Sequence, residues 1–327
     1  MEQYVIKGGN PLVGEVEIGG AKNAALAILS AAVMTDETVT IENVPNVRDT
    51  NVLLNAIEEI GARVERLDAH TVRINGSFIR DFNVDNEFIR KIRASYYLIG
   101  ALLGKYKRAE VALPGGCNIG GRPIDLHMKG FRALGAEVEE TDAYVDARAR
   151  EEGLQGGRVN LDVVSVGATI NIIIASVLVP GQTVIENAAM EPEIGNLAEM
   201  LNAMGAKITG IGTPILTIEG VRELHGTVHK VIPDRIEAGS YAVAAAITRG
   251  RIELINAQAA TLKTPLRILS EMGVRVIEKP HGIIIDAENC RLEGKDIMTD
   301  YYPGFPTDLQ AQFLTLMLTA DGASMVT

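Results

Sequence analysis

The 327-residue sequence has no tryptophan, only two cysteines and few aromatic residues, which make up 4% of the chain. Cys117 and Cys290 cannot form a disulfide framework. The first residues lack the basic and apolar segments of a signal peptide. These absences predict a protein of the reducing cytoplasm.

Long apolar runs and a surplus of basic residues are also missing. The most apolar segment, residues 168–179, contains Asn171 and is followed by Pro180 and Gly181. It is too short for the ~20 apolar residues of a membrane span and is predicted to be a buried helix. Lys and Arg total 31 against 42 Asp and Glu, a formal charge of -11. We therefore expect neither a nucleic-acid nor a membrane partner.

What the sequence does contain is a repeat. With 47% hydrophobic and 22% charged residues, it is typical of a folded chain of about two domains. Four segments share an amphipathic helix, a glycine and a short strand, with a period of about 70 residues. Their glycines are Gly61, Gly135, Gly205 and Gly273. An Ala-rich helix and a strand precede each, which predicts the repeating unit β-α-β-α-β-β.

The Ala-rich helices are apolar on nearly every face and must therefore be enclosed. The predicted fold class is α/β, with these helices inside and the sheets outside. A doubly wound Rossmann arrangement is the competing fold, but the two extra strands that end each unit disfavour it. A fifth copy begins near Pro303 and the sequence stops at Thr327. We therefore expect a truncated chain, the alternative being a natural variant that ends there.

The segment from Leu113 to His127 has four glycines and two prolines, the composition of a loop that can approach a ligand closely. Cys117 lies in its middle and Arg122 follows. A thiol beside a guanidinium is a candidate nucleophile or acid, and a small buried apolar residue is the alternative. No comparable surroundings are predicted for Cys290.

Two cations occur at corresponding places in their repeats. Lys22 and Asn23 begin the first apolar helix, where free N–H groups and the helix dipole favour an anion. Arg93 has the matching position in the second copy. Each of the two cations could either bind an anion or be an ordinary solvated surface residue, and the sequence leaves both alternatives open.

Asp308 precedes another helix, either as an N-cap or as a base in a cleft. Asp234 also precedes a helix and is predicted to cap it. His127 is a candidate phosphate ligand or a structural residue. Metal-binding motifs such as CxxC and HExxH do not occur, so no metal site is predicted.

Six motifs follow one another along the chain: GGAKNAAL, LPGGCNIGGRPIDLH, DVVSVGAT, EPEI, PDRIEAG and FPTDLQAQF. In this order the sequence resembles the UDP-N-acetylglucosamine enolpyruvyl transferases of the EPSP synthase-like family, over residues 1–327. The resemblance implies an inside-out α/β barrel of six such units in two domains. It implies transfer of the enolpyruvyl group of phosphoenolpyruvate to the sugar 3'-hydroxyl with release of phosphate, the committed step of peptidoglycan synthesis. No metal or organic cofactor is implied.

The resemblance also assigns site residues. Cys117 matches the family acid, which fosfomycin alkylates, and Asp308 matches the carboxylate at the sugar hydroxyl. The residues that match substrate-binding positions are Lys22, Asn23, Arg93, Arg122, Pro123, Ile124, Asp125, Leu126 and, less closely, Ser165 and Gly167.

Two departures from the family are visible. Val163 stands where some members carry a lysine, and the family's C-terminal part has no counterpart. The implied domains are residues 22–232, with three repeats and the Cys117 loop, and residues 1–21 plus 233–327, incomplete. The alternatives are a shikimate-pathway enolpyruvyl transferase and a non-catalytic paralogue that binds the nucleotide sugar.

Overall fold

The structure, a computed structural model, describes residues 3, 5–85, 90, 95–112, 124–141 and 143–327. The chain divides into two compact units. Unit 1 joins Met1–Gly19 to Pro233–Thr327, and unit 2 is Gly20–Ile232.

The predicted β-α-β-α-β-β pattern is confirmed in four successive copies. The first has β1 (Val13–Glu17), α1 (Lys22–Ala31), β2 (Thr38–Glu42), α2 (Arg48–Glu59), β3 (Arg63–Arg66) and β4 (Val72–Asn75). The second has β5 (Asn83–Val84), α3 (Tyr96–Tyr106), β6 (Arg108–Ala112), α4 (Asp125–Ala133), β7 (Ala136–Glu140) and β8 (Tyr144–Ala149). The third has β9 (Arg158–Asn160), α5 (Val166–Ser176), β10 (Gln182–Glu186), α6 (Pro192–Ala203), β11 (Lys207–Thr209) and β12 (Ile215–Glu219). The fourth has β13 (Val228–Lys230), α7 (Arg235–Ile247), β14 (Arg251–Ile255), α8 (Lys263–Glu271), β15 (Arg275–Lys279) and β16 (Gly282–Asp286), and α9 (Gln310–Met317) follows.

The first strands of copies one and four are exchanged. The sheets of the described residues have the orders β13-β2-β4-β3, β5-β6-β8-β7, β9-β10-β12-β11 and β1-β14-β16-β15. Thus β13 pairs parallel to β2 within unit 2, and β1 pairs parallel to β14 within unit 1. This exchange explains why unit 1 contains residues from both ends of the sequence.

The inner position of the Ala-rich helices is confirmed in unit 2. From Ala24 to Ala31 every residue of α1 is buried, and the interior positions of α3 and α5 are buried as well. Two glycines of α3 allow close approach to α5, because an added Cβ on Gly100 would lie 2.6 Å from the Asn171 carbonyl oxygen and one on Gly104 2.9 Å from that of Ala175. In strands β2, β4, β8, β10 and β12 of this unit, buried side chains alternate with exposed or half-buried ones, as outer sheets do.

The glycine at the end of each second helix adopts the left-handed conformation that the repeat predicted. The φ angles are 105° at Gly61, 87° at Gly135, 102° at Gly205 and 100° at Gly273. A side chain at such an angle is strained, so glycine ends these helices.

Unit 1 has its own core around α7 and α9. Phe305 and Phe313 are buried there with their rings edge to face at 4.9 Å. After α9, Val326 forms an isolated parallel bridge with Ile297. Across the described residues, no helix combines the length and the apolar character that crossing a membrane requires.

Candidate active site

Lys22 and Asn23 lie at the exposed N-terminus of α1, as predicted. Ala21 has the N-cap position and supplies no side-chain hydrogen bond, so the first N–H groups of the helix are not capped by a side chain there. The Lys22 Nζ lies 3.4 Å from the Asp49 carboxylate in an exposed ion pair. A cation thus lies in the first turn of a helix, and both the cation and the helix N-terminus favour an anionic group.

The second group of predicted residues begins helix α4. Ile124 is buried at the N-cap position, Asp125 is exposed in the first turn and Leu126 is half-buried. An aspartate in the first turn stabilises the helix through the dipole. The buried Ile124 anchors this segment in unit 2 and leaves Asp125 accessible.

The N-terminus of α5 is built differently. Ser165 is the N-cap, and its Oγ accepts a hydrogen bond of 3.3 Å from the Ala168 N–H. Gly167 lies in the first turn, and Val163 just before it is 54% exposed. An apolar side chain is thus presented to solvent just before this helix.

Helices α4 and α5 are joined by a polar contact inside unit 2. The His127 Nδ1 and the Asn171 Nδ2 are 3.0 Å apart, and both side chains are buried. Burial lowers the pKa of His127 from 6.5 to about 4, with the charge of Asp125 acting in the opposite direction. His127 is therefore neutral near pH 7. Of the two roles that the sequence left open for it, the structure supports a structural one.

Asp308 lies in unit 1, in the 3₁₀ turn Thr307–Leu309 before α9. It is exposed, and Leu309 rather than Asp308 has the N-cap position of α9, which no side chain caps, so the capping alternative is wrong. Its neighbour Leu309 is buried against α7, where an added Cβ on Gly239 would lie 2.6 Å from the Leu309 Cδ1. This contact fixes the turn and leaves the carboxylate accessible. By contrast Asp234 does cap α7, accepting from the Ile236 and Glu237 N–H groups.

Four predicted site residues lie outside the described residues: Arg93, Cys117, Arg122 and Pro123. The sequence predicted no guanidinium beside the Cys290 thiol, and this expectation is wrong. The Arg249 Nη1 lies 3.5 Å from the Cys290 Sγ. A cation 41 residues away along the chain has no local sequence signal. Within the described ranges, no group of three or more His, Cys, Asp and Glu side chains is arranged to hold a metal ion.

Sequence reasoning missed Asn171 as a possible contributor to the site. From the sequence, Asn171 is recognisable only as a polar residue that interrupts the apolar run 168–179. That interruption was the available signal, because a polar side chain on a fully buried helix face needs a hydrogen-bond partner.

Comparisons with known proteins agree with this architecture. The family model described as EPSP synthase (3-phosphoshikimate 1-carboxyvinyltransferase) matches residues 6–327. A UDP-N-acetylglucosamine 1-carboxyvinyltransferase of Halothermothrix orenii is 48% identical over 326 residues, covering 100% of this chain and 78% of the relative. The enzyme of the same name from Granulibacter bethesdensis is 48% identical over 328 residues, with the same two coverages.

Solved structures show the same fold. The enolpyruvyl transferase NikO from Streptomyces tendae matches with a TM-score of 0.85 and 22% identity, covering 98% of this chain and 77% of NikO. An EPSP synthase from Acinetobacter baumannii matches with a TM-score of 0.76 and 20% identity, covering 98% of this chain and 74% of that protein.

The solved structures and the sequence relatives differ in their identity to this chain, at 22% and 48% for the first of each. The distant structural neighbours share the inside-out α/β fold, whereas the relatives at 48% identity match the whole of this chain. The chain therefore belongs to the EPSP synthase family and, within it, to the UDP-N-acetylglucosamine 1-carboxyvinyltransferases.

Proposed function

We propose that this protein transfers the enolpyruvyl group of phosphoenolpyruvate to the 3'-hydroxyl of UDP-N-acetylglucosamine and releases phosphate. The observation that carries the proposal is the 48% identity over the whole chain to transferases named for this substrate. EPSP synthases of known structure are 19% and 20% identical. This difference disfavours the shikimate-pathway alternative.

The reaction needs an acid and a base. The Cys117 thiol donates its proton to the methylene carbon of phosphoenolpyruvate, while the Asp308 carboxylate accepts the proton of the 3'-hydroxyl. The sugar oxygen then bonds to the central carbon and forms a tetrahedral intermediate. Loss of a proton from the new methyl group and cleavage of the bond to phosphate complete the transfer. The exposure of Asp308 in its fixed turn supports this role.

The anionic substrates need cations placed in advance. Lys22, Arg93 and Arg122 would bind phosphate and carboxylate groups, with Asn23 beside Lys22. The N-terminus of α1 supports Lys22 in this role, because the helix dipole adds to its charge.

The uridine end would bind the segment of Pro123, Ile124, Asp125 and Leu126. Its half-buried Leu126 offers apolar surface to the base, and its exposed Asp125 offers an acceptor. The turn of Ser165 and Gly167 would hold the diphosphate.

The proposal includes a cellular role. The reaction supplies peptidoglycan synthesis in the cytoplasm, and so supports cell shape and division, with fosfomycin as an inhibitor that alkylates Cys117. We place the domain boundaries at residues 22–232 and at 1–21 plus 233–327, which the two compact units support. The partners are the two small substrates, with no nucleic acid and no membrane.

The test measures phosphate release from phosphoenolpyruvate with UDP-N-acetylglucosamine, with 3-phosphoshikimate in its place and with neither. We expect release with the nucleotide sugar alone. Cys117→Ala should abolish release while nucleotide-sugar binding persists, and Cys290→Ala is the matched control that keeps activity. Release with 3-phosphoshikimate would establish the shikimate alternative. Nucleotide-sugar binding without any release would establish a non-catalytic paralogue.

A further inference from the structure

The buried Asn171 side chain makes three hydrogen bonds across the interior of unit 2. Its Oδ1 accepts from the Gly100 N–H at 2.9 Å, and its Nδ2 donates to the Tyr96 carbonyl oxygen at 2.7 Å. The same Nδ2 lies 3.0 Å from the His127 Nδ1. One amide on α5 thus connects α3 with α4.

The backbone partners fix which way this amide points. A backbone N–H can only donate, so the atom facing Gly100 must be the oxygen. A backbone carbonyl can only accept, so the atom facing Tyr96 must be the nitrogen. The second hydrogen on Nδ2 is therefore donated to the His127 Nδ1.

This bond determines the tautomer of His127. An Nδ1 that accepts a hydrogen bond carries no proton, so the single proton of the neutral ring is on Nε2. The ring is neutral because burial lowers its pKa to about 4. His127 therefore has a fixed donor at the far end of its ring.

The donor end of the ring faces the first turn of α5. A Cβ added to Gly167 would lie 3.1 Å from the His127 Nε2 and 3.2 Å from its Cε1. His127 directly follows Leu126 in the chain, so its backbone is joined to the segment 124–126. The ring thus lies between the segment 124–126 and the turn 165–167.

We propose that Asn171 and His127 are positioning residues for the nucleotide sugar. Asn171 holds the His127 ring so that its Nε2–H faces the Gly167 turn, and the ring keeps that turn in register with the segment 124–126. The inference rests on the proposed function, since it assigns a task to the diphosphate and uridine parts of that site. Neither residue contacts the reacting atoms in this role.

The tautomer is measured first, by NMR of the nitrogen shifts of isotope-labelled histidine near neutral pH. We expect an unprotonated Nδ1 and a protonated Nε2 in the unaltered protein. Asn171→Asp should move the proton toward Nδ1, because the new carboxylate accepts a hydrogen bond where the amide donated one. His127→Gln identifies the signal of His127 among the five histidines. A proton on Nδ1 in the unaltered protein would overturn the proposal without reference to any substrate.

The second measurement separates positioning from folding. Asn171→Asp should raise the KM for UDP-N-acetylglucosamine about tenfold, while kcat and the KM for phosphoenolpyruvate change less than about twofold. The matched control is Ser176→Ala on the same buried helix, where the hydroxyl bonds only to its own helix at the Ile172 carbonyl oxygen. It should leave all three constants unchanged.

A histidine pair keeps the test decisive if Asn171→Asp does not fold. His127→Gln places an amide near the Nε2 position but lacks the Nδ1 acceptor, whereas His127→Asn reaches only the Nδ1 position. His127→Gln should therefore keep more of the affinity than His127→Asn. Equal affinity in both variants, or a changed tautomer with an unchanged KM, would overturn the positioning role. A normal tautomer in a chain that does not bind the nucleotide sugar would instead refute the proposed function.

Discussion

Acidification is expected to destabilise unit 2 through His127. The ring is buried with a pKa of about 4 against an ordinary value of 6.5. Between these two values the unfolded chain binds a proton that the folded chain does not. The contribution of the neutral ring is therefore complete above about pH 6.5 and is lost as the pH falls toward 4.

The magnitude follows from the two pKa values. At about pH 5 the unfolded histidine is almost fully protonated and the folded one is about one-tenth protonated, so the free energy of unfolding falls by about 2 kcal/mol relative to pH 7.5. Full protonation of both states at lower pH would bring the loss to about 3 kcal/mol. A loss of this size is a large part of the stability of a small domain.

Hydrogen exchange of the α5 amides measures this loss, after correction for the pH dependence of intrinsic exchange. The comparison is between the unaltered protein and His127→Gln, because carboxylates that titrate in the same range are common to both and cancel. From pH 7.5 to pH 5, we expect the unaltered protein to lose about 2 kcal/mol more unfolding free energy than His127→Gln does. A pH-independent difference, or NMR titration of His127 near its ordinary value, would refute the reasoning.

Three further substitutions test the packing, each by thermal unfolding. Gly100→Ala should cost about 1–3 kcal/mol, because its Cβ would lie 2.3 Å from the Asn171 Oδ1, and an unchanged Tm would contradict the close approach of α3 and α5. Asp234→Ala should cost about 1 kcal/mol by removing the cap of α7, whereas Asp234→Asn should cost less, and equal losses would argue against capping. Lys105→Met should lower the free energy of unfolding by about 1–3 kcal/mol, because the Lys105 Nζ donates to the Val33 carbonyl oxygen at 3.0 Å and pairs with Asp36 at 2.7 Å. Retained stability would show that water replaces these bonds.

Much of the fold could be predicted from the sequence because the signals are local. The apolar residues on nearly every face of α1 and α5 predicted enclosed helices, and the interior residues of both are buried. The glycines that end α2 and α4 predicted left-handed turns, and Gly61 and Gly135 adopt them. Each signal lies within one turn of helix or one strand, so it can be read without knowing the partner.

The candidate site was predictable only in part. The motif around Lys22 predicted a cation at a helix N-terminus, which the structure confirms. For Asp308 the sequence left a cap and a base open, and the structure excludes the cap, because Leu309 has the N-cap position of α9 and no side chain caps that helix. The roles of Cys117, Arg93 and Arg122 stay predictions, because these residues lie outside the described ranges.

The amino-acid sequence by itself determined the repeat, the enclosed helices and the glycine-ended turns, since these depend on the order of neighbouring residues. Only the tertiary structure decided which strands pair and which groups share hydrogen bonds. The exchange of β1 and β13 between copies joins strands far apart in sequence, as in the pairing of Val13 with Arg251. The Asn171 amide likewise meets Gly100, 71 residues away. A buried polar group must find a partner, but which one depends on the packing of the whole unit.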